Sequence, residues 1–182
     1  MSKKAGQRIR RLPAGTRPAG GAADYATGSN GRNGENPMNI YTLGYSGWRI
    51  EDIEAEIDRL DAILADVRMV PRSRVPQWNG ATFARRLGDR YVWLREFGNQ
   101  DYKGSTIQIV DLAGGEAKLK TFDSRFKAVI LLCGCRDVAV CHRKVVAEWL
   151  AQRWGGDVVH LAAPGPSPST QERVGPSQPT LF

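Results

Sequence analysis

The chain has 182 residues, a formal net charge of +7 and an isoelectric point of about 9.6. This length suits one domain with additional segments, and no apolar run approaches the roughly 20 residues that a membrane-spanning helix needs. The basic N-terminus has no apolar stretch behind it, so it is not a secretory signal. The three cysteines lie within nine positions of one another, which does not fit a disulfide framework. We therefore expect a cytoplasmic protein that makes no contact with membranes.

The positive charge is concentrated at the N-terminus. Residues 1–37 contain seven Lys or Arg and two acids, whereas residues 38–161 contain 18 and 16. The first segment has no apolar periodicity and is predicted to be a disordered basic tail. This tail either aids solubility or contacts phosphate backbones through counterion release. Residues 163–182 are rich in Pro and Ser and are predicted to be a flexible tail, which leaves 38–162 as the folded domain.

Strand and helix patterns alternate along the folded domain. The predicted strands are short and apolar: 39–44, 62–67, 90–94, 127–133 and 157–161. The predicted helices are 50–60, 81–87, 116–126 and 143–154, and the Gly-rich stretch 98–115 is predicted to be irregular. The alternation predicts an α/β fold with right-handed crossovers and a mainly parallel sheet.

Unusual residues follow several of the predicted strands. Ligands of parallel α/β sheets bind outside the carboxyl ends of the strands. Four segments are predicted to lie at those ends: 44–48, 66–74, 94–99 and 133–143. We expect them to form one shared site.

The segment CGCRDVAVCHR contains two candidate catalytic residues, Cys141 and His142. Cys141 is predicted at the N-terminus of the last long helix, where unpaired N–H groups and the helix dipole favour a thiolate, and Arg143 acts in the same direction. A lowered pKa of Cys141 would give a nucleophile, with His142 as its acid, base or activator. A structural role is the alternative, because cysteine is among the most buried residue types.

The same segment offers three sulfurs and one imidazole for a metal. Zinc sites with these ligands normally use Cys pairs separated by two to four residues. Here Cys133 and Cys135 are only two positions apart, and Cys141 and His142 are adjacent. We therefore expect no metal. No glycine-rich dinucleotide or phosphate-loop motif is present, and no cofactor is expected.

Polar residues also follow two other predicted strands. Asp66 ends a buried strand, and Arg68 and Ser73 come shortly after it. This group is either an ion-pair network or a phosphate pocket with a positioning acid, which makes Asp66 a third candidate catalytic residue. Further residues are candidates for binding substrate or phosphate: Arg68, Ser73, Arg143, Ser46 and Tyr45.

Three short motifs occur in order: TLGYS at 42–46, DVR at 66–68 with Pro71 and Ser73 beyond it, and LLC with CHR before the last helix. They resemble the motifs of the domain-of-unknown-function family number 488, over about residues 40–161. The resemblance implies a Rossmann-like sheet in a three-layer sandwich, but it implies no reaction. The pocket residues that it implies are Thr42, Gly44, Ser46, Asp66, Arg68, Pro71, Ser73, Cys133, Cys141, His142 and Arg143.

The chain departs from the family pattern at two positions. Tyr45 stands where the family usually has His, which removes one acid, base or ligand. Cys135 stands where an acid is common, which puts any role of that acid in doubt.

The C-terminal sequence QPTLF looks like the bacterial sliding-clamp-binding peptide. In that pattern Gln178 makes polar contacts, and Leu181 and Phe182 fill an apolar pocket. A disordered tail that becomes ordered on binding is common in such contacts. Coincidence is the alternative, because the pattern is short.

These observations favour a DNA-associated enzyme, a hydrolase or a transferase, that processes a nucleotide or a modified or damaged base. Its partners would be DNA or a nucleotide, and the sliding clamp would tether it. Two alternatives stay open: a non-catalytic module that binds a nucleotide or nucleic acid, and a small-molecule cysteine enzyme with no link to DNA.

Overall fold

Five strands form one parallel sheet in the computed structural model, which describes residues 38–165. The strands are β1 (Asn39–Gly44), β2 (Ala62–Asp66), β3 (Tyr91–Trp93), β4 (Ala128–Cys133) and β5 (Val158–Leu161). Their order across the sheet is β3-β2-β4-β1-β5, and every neighbouring pair is parallel. Each observed strand lies within two residues of the bounds predicted from the sequence.

Four α-helices cover the two faces of this sheet, which confirms the predicted Rossmann-like three-layer sandwich. They are α1 (Ile50–Leu60), α2 (Gly80–Leu87), α3 (Leu112–Lys120) and α4 (His142–Trp154). One apolar core lies between the sheet and the pair α1 and α2, and the other between the sheet and the pair α3 and α4. No helix between residues 38 and 165 is long and apolar enough to cross a membrane.

The central strand β4 shows why its sequence is apolar without alternation. Ile130 and Leu132 pack into the core beneath α1, whereas Val129 and Leu131 pack into the core beneath α4. All four side chains are fully buried, because helices cover both faces of the sheet. Removing side chains of this size from water stabilises the fold by about 1.5–3 kcal/mol each.

Helix α3 lies earlier in the chain than the sequence pattern predicts. The predicted helix was 116–126, whereas α3 spans Leu112–Lys120. Asp111 caps it, because its side chain accepts a hydrogen bond from the Gly114 amide at 2.9 Å. A Cβ on Gly115 would lie 2.3 Å from a ring carbon of Phe97, so glycine is required where these two elements meet. Gly114 and Gly115, which lie in the stretch predicted to be irregular, therefore belong to the helix.

The strand order brings three strand ends together. β4 lies between β1 and β2, and the register pairs Gly44 with Cys133 and Asp66 with Leu132. Because all strands run in one direction, the carboxyl ends of β2, β4 and β1 are neighbours at one edge of the sheet. This edge carries the candidate site.

Candidate functional site

A cavity of about 700 Å³ opens at the carboxyl edge of the sheet. Each of the four segments predicted to converge there contributes to its wall. The contributing side chains include Tyr45, Arg68, Arg72, Asn99, Cys133, Cys135 and His142. The residues that follow β1, β2, β3 and β4 are thus brought to one place by the fold.

Three free cysteines form a compact group at this cavity, here called the cysteine cluster: Cys133 and Cys135, which line the cavity, and Cys141, which is fully buried. Cys133 ends β4, Cys135 lies in the following loop, and Cys141 is the N-cap residue of α4. Their three sulfurs all lie within 4.8 Å of one another, and the Cys133 and Cys135 sulfurs are 3.8 Å apart. Only Cys135 is exposed.

His142 is the first residue of α4, and its ring connects the cysteine cluster to β2. Its Nε2 lies 2.8 Å from the Val67 carbonyl oxygen, and its Nδ1 lies 3.9 Å from the Cys133 sulfur. A carbonyl only accepts hydrogen bonds, so Nε2 carries a proton, and Nδ1 of the neutral ring presents its lone pair to the Cys133 sulfur. Burial lowers the pKa of His142, but hydrogen bonds with Cys141 and Val67 outweigh burial and raise it.

The thiols of the cysteine cluster differ in acidity. Hydrogen bonds from the Cys133 and Cys141 thiols lower the pKa of Cys135. Hydrogen bonds with Cys133 and Cys135, together with burial, raise the pKa of Cys141. Cys141 does lie at the N-terminus of α4, but its side chain is fully buried and the expected lowering of its pKa is not found. Cys135 is the thiol that a molecule in the cavity can reach.

Asp66 and Arg68 form a buried ion pair, in which the Arg68 side chain is part of the cavity wall. Arg68 Nε donates to Asp66 Oδ1 at 2.8 Å, and Arg68 Nη2 donates to Oδ2 at 2.5 Å. The Tyr91 hydroxyl also donates to Oδ2 at 2.9 Å, and burial, followed by the Asp66 charge, raises the pKa of Tyr91. Asp66 is 0% exposed, and its two carboxylate oxygens accept hydrogen bonds from Arg68 and Tyr91.

Tyr45 has a fixed place beside this ion pair. Its ring stacks on Trp78 with centroids 4.9 Å apart, and the Arg68 guanidinium lies 5.3 Å from its centroid. A Cβ on Gly134 would lie 2.8 Å from the Tyr45 hydroxyl oxygen, so the loop after β4 packs directly on this ring. Tyr45 thus forms a rigid part of the wall.

Arg143 holds the loop that carries Cys135. Its Nη1 donates to the Cys135 carbonyl at 2.7 Å, and its Nη2 donates to the Arg136 carbonyl at 3.3 Å. It is 4% exposed, its Nε has no hydrogen-bond partner, and no carboxylate among residues 38–165 pairs with it. A Cβ on Gly44 would lie 2.0 Å from the Cys135 carbonyl oxygen, so glycine is required at the end of β1.

A second cavity of about 750 Å³ lies next to the first. Ser46 and Arg143 line it, together with Arg49 and Arg136. Gly44 and Arg136 face this second cavity, whereas their chain neighbours Tyr45 and Cys135 face the first one.

Ser73 lines neither cavity. Its hydroxyl accepts a hydrogen bond from the Val75 amide at 3.2 Å, and its own amide donates to Asn79 Oδ1 at 2.7 Å. It shapes the loop after β2. Gln178, Leu181 and Phe182 lie outside the described residues.

Sequence reasoning missed the rim of the first cavity. The rim carries four exposed apolar side chains: Val70, Tyr102, Ile107 and Val140. Two of them, Tyr102 and Ile107, come from the stretch predicted to be irregular. The buried side chain of Asn99 orders this stretch. Its Oδ1 accepts a hydrogen bond from the Gln108 amide at 2.7 Å, and its Nδ2 donates to the Thr106 carbonyl at 3.1 Å. A single polar residue in a Gly-rich stretch gives no pattern from which this wall could be predicted.

The fold and the site define the class of protein: a parallel α/β sandwich with an open cavity at its carboxyl edge and a floor of thiols and one imidazole. Residues 50–150 match the family described as "Domain of unknown function DUF488", and the chain belongs to this family. Comparison with curated proteins and with solved structures finds no match.

Proposed function

We propose that the protein is a cytoplasmic, DNA-associated enzyme that processes a nucleotide or a modified or damaged base. The observation that carries the proposal is the construction of the first cavity, which combines an apolar rim with a floor of thiols and an imidazole. A nucleotide base suits both parts, because its flat faces can stack on the apolar rim while its polar edge meets the floor.

The rim supports the binding of a base. Tyr102 is 55% exposed and Val140 is 74% exposed, although both line a concave site. Exposed apolar groups around a cavity with a polar floor are typical of ligand sites. A base stacked on an aromatic ring such as Tyr102 gains about 1–3 kcal/mol. The reacting part of the base would then lie against Cys135 and His142.

Arginines near both cavities support the binding of phosphates. Arg72 lines the first cavity, and Arg49 and Arg136 line the second. Because neighbouring residues of the chain line the two cavities, a nucleic acid strand could place a base in the first and its adjoining phosphates in the second. Arginine suits this role, since its planar fork donates two hydrogen bonds to one phosphate.

The C-terminal sequence supports a tether to the bacterial sliding clamp. Leu181 and Phe182 would be the apolar contacts and Gln178 the polar one. A pull-down with purified clamp tests this part, with Phe182→Ala as the variant and Ser177→Ala, just outside the motif, as the matched control. Capture that is equal for the wild type and Phe182→Ala would rule out the tether.

One observation favours a second candidate, a non-catalytic binding module. Asp66, the acid at the end of β2, is closed off by Arg68 and Tyr91 and cannot receive a proton from a ligand without breaking that pair. Recovery of bound nucleotide or oligonucleotide in chemically unchanged form would favour the module over the enzyme.

The test measures binding of nucleoside monophosphates and of short single-stranded oligonucleotides at several salt concentrations. Affinity should fall as salt rises, and Arg72→Gln should weaken binding and reduce the salt slope by about 1. Lys127→Gln is the matched control, because Lys127 is exposed just before β4, at the opposite edge of the sheet. Absence of binding, or an affinity that salt does not change, would contradict the proposal.

A further inference from the structure

We propose that the cysteine cluster, together with His142, is a binding site for a zinc ion. The inference concerns the floor of the cavity used in the proposed function. It depends on the positions of the three sulfurs and of the His142 ring, and it needs no nucleotide in the cavity.

The distances between the sulfurs suit a tetrahedral zinc ion. With Zn–S bonds of about 2.3 Å, tetrahedral geometry places two sulfur ligands roughly 3.8 Å apart. The Cys133 and Cys135 sulfurs are 3.8 Å apart, and no pair in the cluster exceeds 4.8 Å. Shifts of about 1 Å or less would therefore bring all three sulfurs to one ion.

His142 is oriented as a fourth ligand. Metal-binding histidines usually donate their second ring N–H to a carbonyl or carboxylate, which fixes the ring and its tautomer. The Val67 carbonyl, 2.8 Å from Nε2, performs this role, and it leaves Nδ1 directed toward the Cys133 sulfur at 3.9 Å. The imidazole is thus held before any metal arrives.

The surroundings suit the charge of such a site. Three thiolates and one Zn²⁺ carry a net charge of −1. The N-terminus of α4, which begins directly after Cys141, favours negative charge. Arg143 is a buried cation without a carboxylate partner among residues 38–165, and it donates to the Cys135 carbonyl. An anionic metal–thiolate group accounts for this otherwise unpaired charge.

The expectation of no metal rested on the spacing of the ligands along the chain. Zinc motifs that contain two spaced Cys or His pairs are typical of sites whose ligands lie in short turns. Here a loop leaves β4 after Cys133 and returns to Cys141, the N-cap of α4, so the strand end and the helix start bring the ligands together.

The experiment titrates Co²⁺ into full-length protein whose thiols are kept reduced by a phosphine. We expect one equivalent to produce the intense absorption of thiolate-to-cobalt charge transfer with the visible bands of tetrahedral cobalt, and one equivalent of Zn²⁺ to abolish both. Cys135→Ser should weaken Co²⁺ binding by at least about 10–100-fold, because losing even a group that only hydrogen-bonds to a metal ligand has an effect of that size. Because Cys135 is exposed, this variant should retain the fold, which circular dichroism checks.

His142→Asn and His160→Asn form a matched pair, since these are the two histidines of the chain. The first should weaken binding and shift the visible cobalt bands, and the second should change neither. Three free thiols with no cobalt–thiolate absorption would overturn the inference, and so would an unchanged affinity of Cys135→Ser. Metal binding without nucleotide binding would reject only the proposed function, and the reverse result would reject only the zinc site.

Discussion

The carboxylate of Asp66 accepts two parallel hydrogen bonds from the guanidinium of Arg68, and both side chains are buried. The remaining Nη1 of Arg68 donates to the Trp78 carbonyl at 2.7 Å. Trp78 in turn stacks on Tyr45, which follows β1. The ion pair therefore connects the end of β2 with the wall of the cavity, and its main task is to hold that wall in place.

Removal of the Asp66 charge should destabilise the protein strongly. Asp66→Asn leaves the Arg68 cation buried without a counter-ion, and breaking such a pair costs about 3–5 kcal/mol. Urea unfolding measures the change in the free energy of unfolding. Asp58→Asn is the control, because the exposed pair of Asp58 with Arg90 should contribute no more than about 1 kcal/mol. Equal unfolding midpoints for the two variants would contradict this prediction.

Arg143→Lys should loosen the loop between β4 and α4. A lysine cannot donate to the Cys135 and Arg136 carbonyls with the planar fork of arginine. We expect faster amide hydrogen exchange in residues 134–140. The free energy of unfolding should fall by about 1–3 kcal/mol, because the carbonyl groups of Cys135 and Arg136 lose hydrogen bonds from the guanidinium. Lys144→Arg, at the neighbouring half-buried position, should leave both quantities unchanged, because Arg can keep the ion pair with Glu148. Unaltered exchange in Arg143→Lys would show that the loop does not depend on the guanidinium.

Gly44→Ala should disturb the cavity through the backbone. The added Cβ would lie 2.0 Å from the Cys135 carbonyl oxygen, so β1 or the loop must move. Overpacking of this kind costs about 1–3 kcal/mol, and the thermal midpoint should fall accordingly. At Gly156 an added Cβ meets nothing within 4 Å, so Gly156→Ala serves as the control. The prediction fails if both variants unfold at the wild-type temperature.

Glu116 should make the junction of α3 and α4 sensitive to acid. Its carboxylate accepts from Trp154 Nε1 at 2.9 Å and from Arg153 Nε at 2.7 Å. Burial raises the pKa of Glu116, but these hydrogen bonds outweigh burial and lower it below its usual value. The contribution to stability is therefore complete above the unfolded pKa of about 4.3, and it is lost as the pH falls through the folded pKa.

Glu116→Gln should accordingly be less stable than the wild type at pH 7, by about 1.5–3 kcal/mol, the value of hydrogen bonds to a charged group. The difference should shrink as the pH falls below the unfolded pKa of about 4.3 and through the lower pKa of the folded protein, where the wild-type carboxyl gains its proton. Urea unfolding at a series of pH values measures both quantities. The exposed Glu148→Gln is the matched control. A difference that is independent of pH would show that charge is not the cause.

The sheet and the place of the site could be predicted from the sequence for a simple reason. The run from Ala128 to Cys133 is apolar at every position, and such a short run is typical of a strand covered on both faces. Once strands and helices alternate, the carboxyl ends of the strands share one edge, so the convergence of Tyr45, Arg68 and His142 follows from topology.

The chemical state of the individual side chains could not be predicted in the same way. Whether Cys141 or Cys135 faces the cavity depends on how one loop turns after Gly134. The isolation of Asp66 depends on Tyr91, which reaches it from the neighbouring strand. Contacts of this kind join residues far apart in the chain, and no local pattern records them.

The position of β4 has a consequence for how the molecule is made. β1 and β2 share no ladder with each other, because β4 lies between them and bonds to both. A nascent chain that emerges from the ribosome therefore cannot close its sheet until this late strand has been translated and inserted. Such long-range pairing slows folding. The parts of the cavity wall that follow β1 and β2 are therefore joined only after β4 has been synthesised.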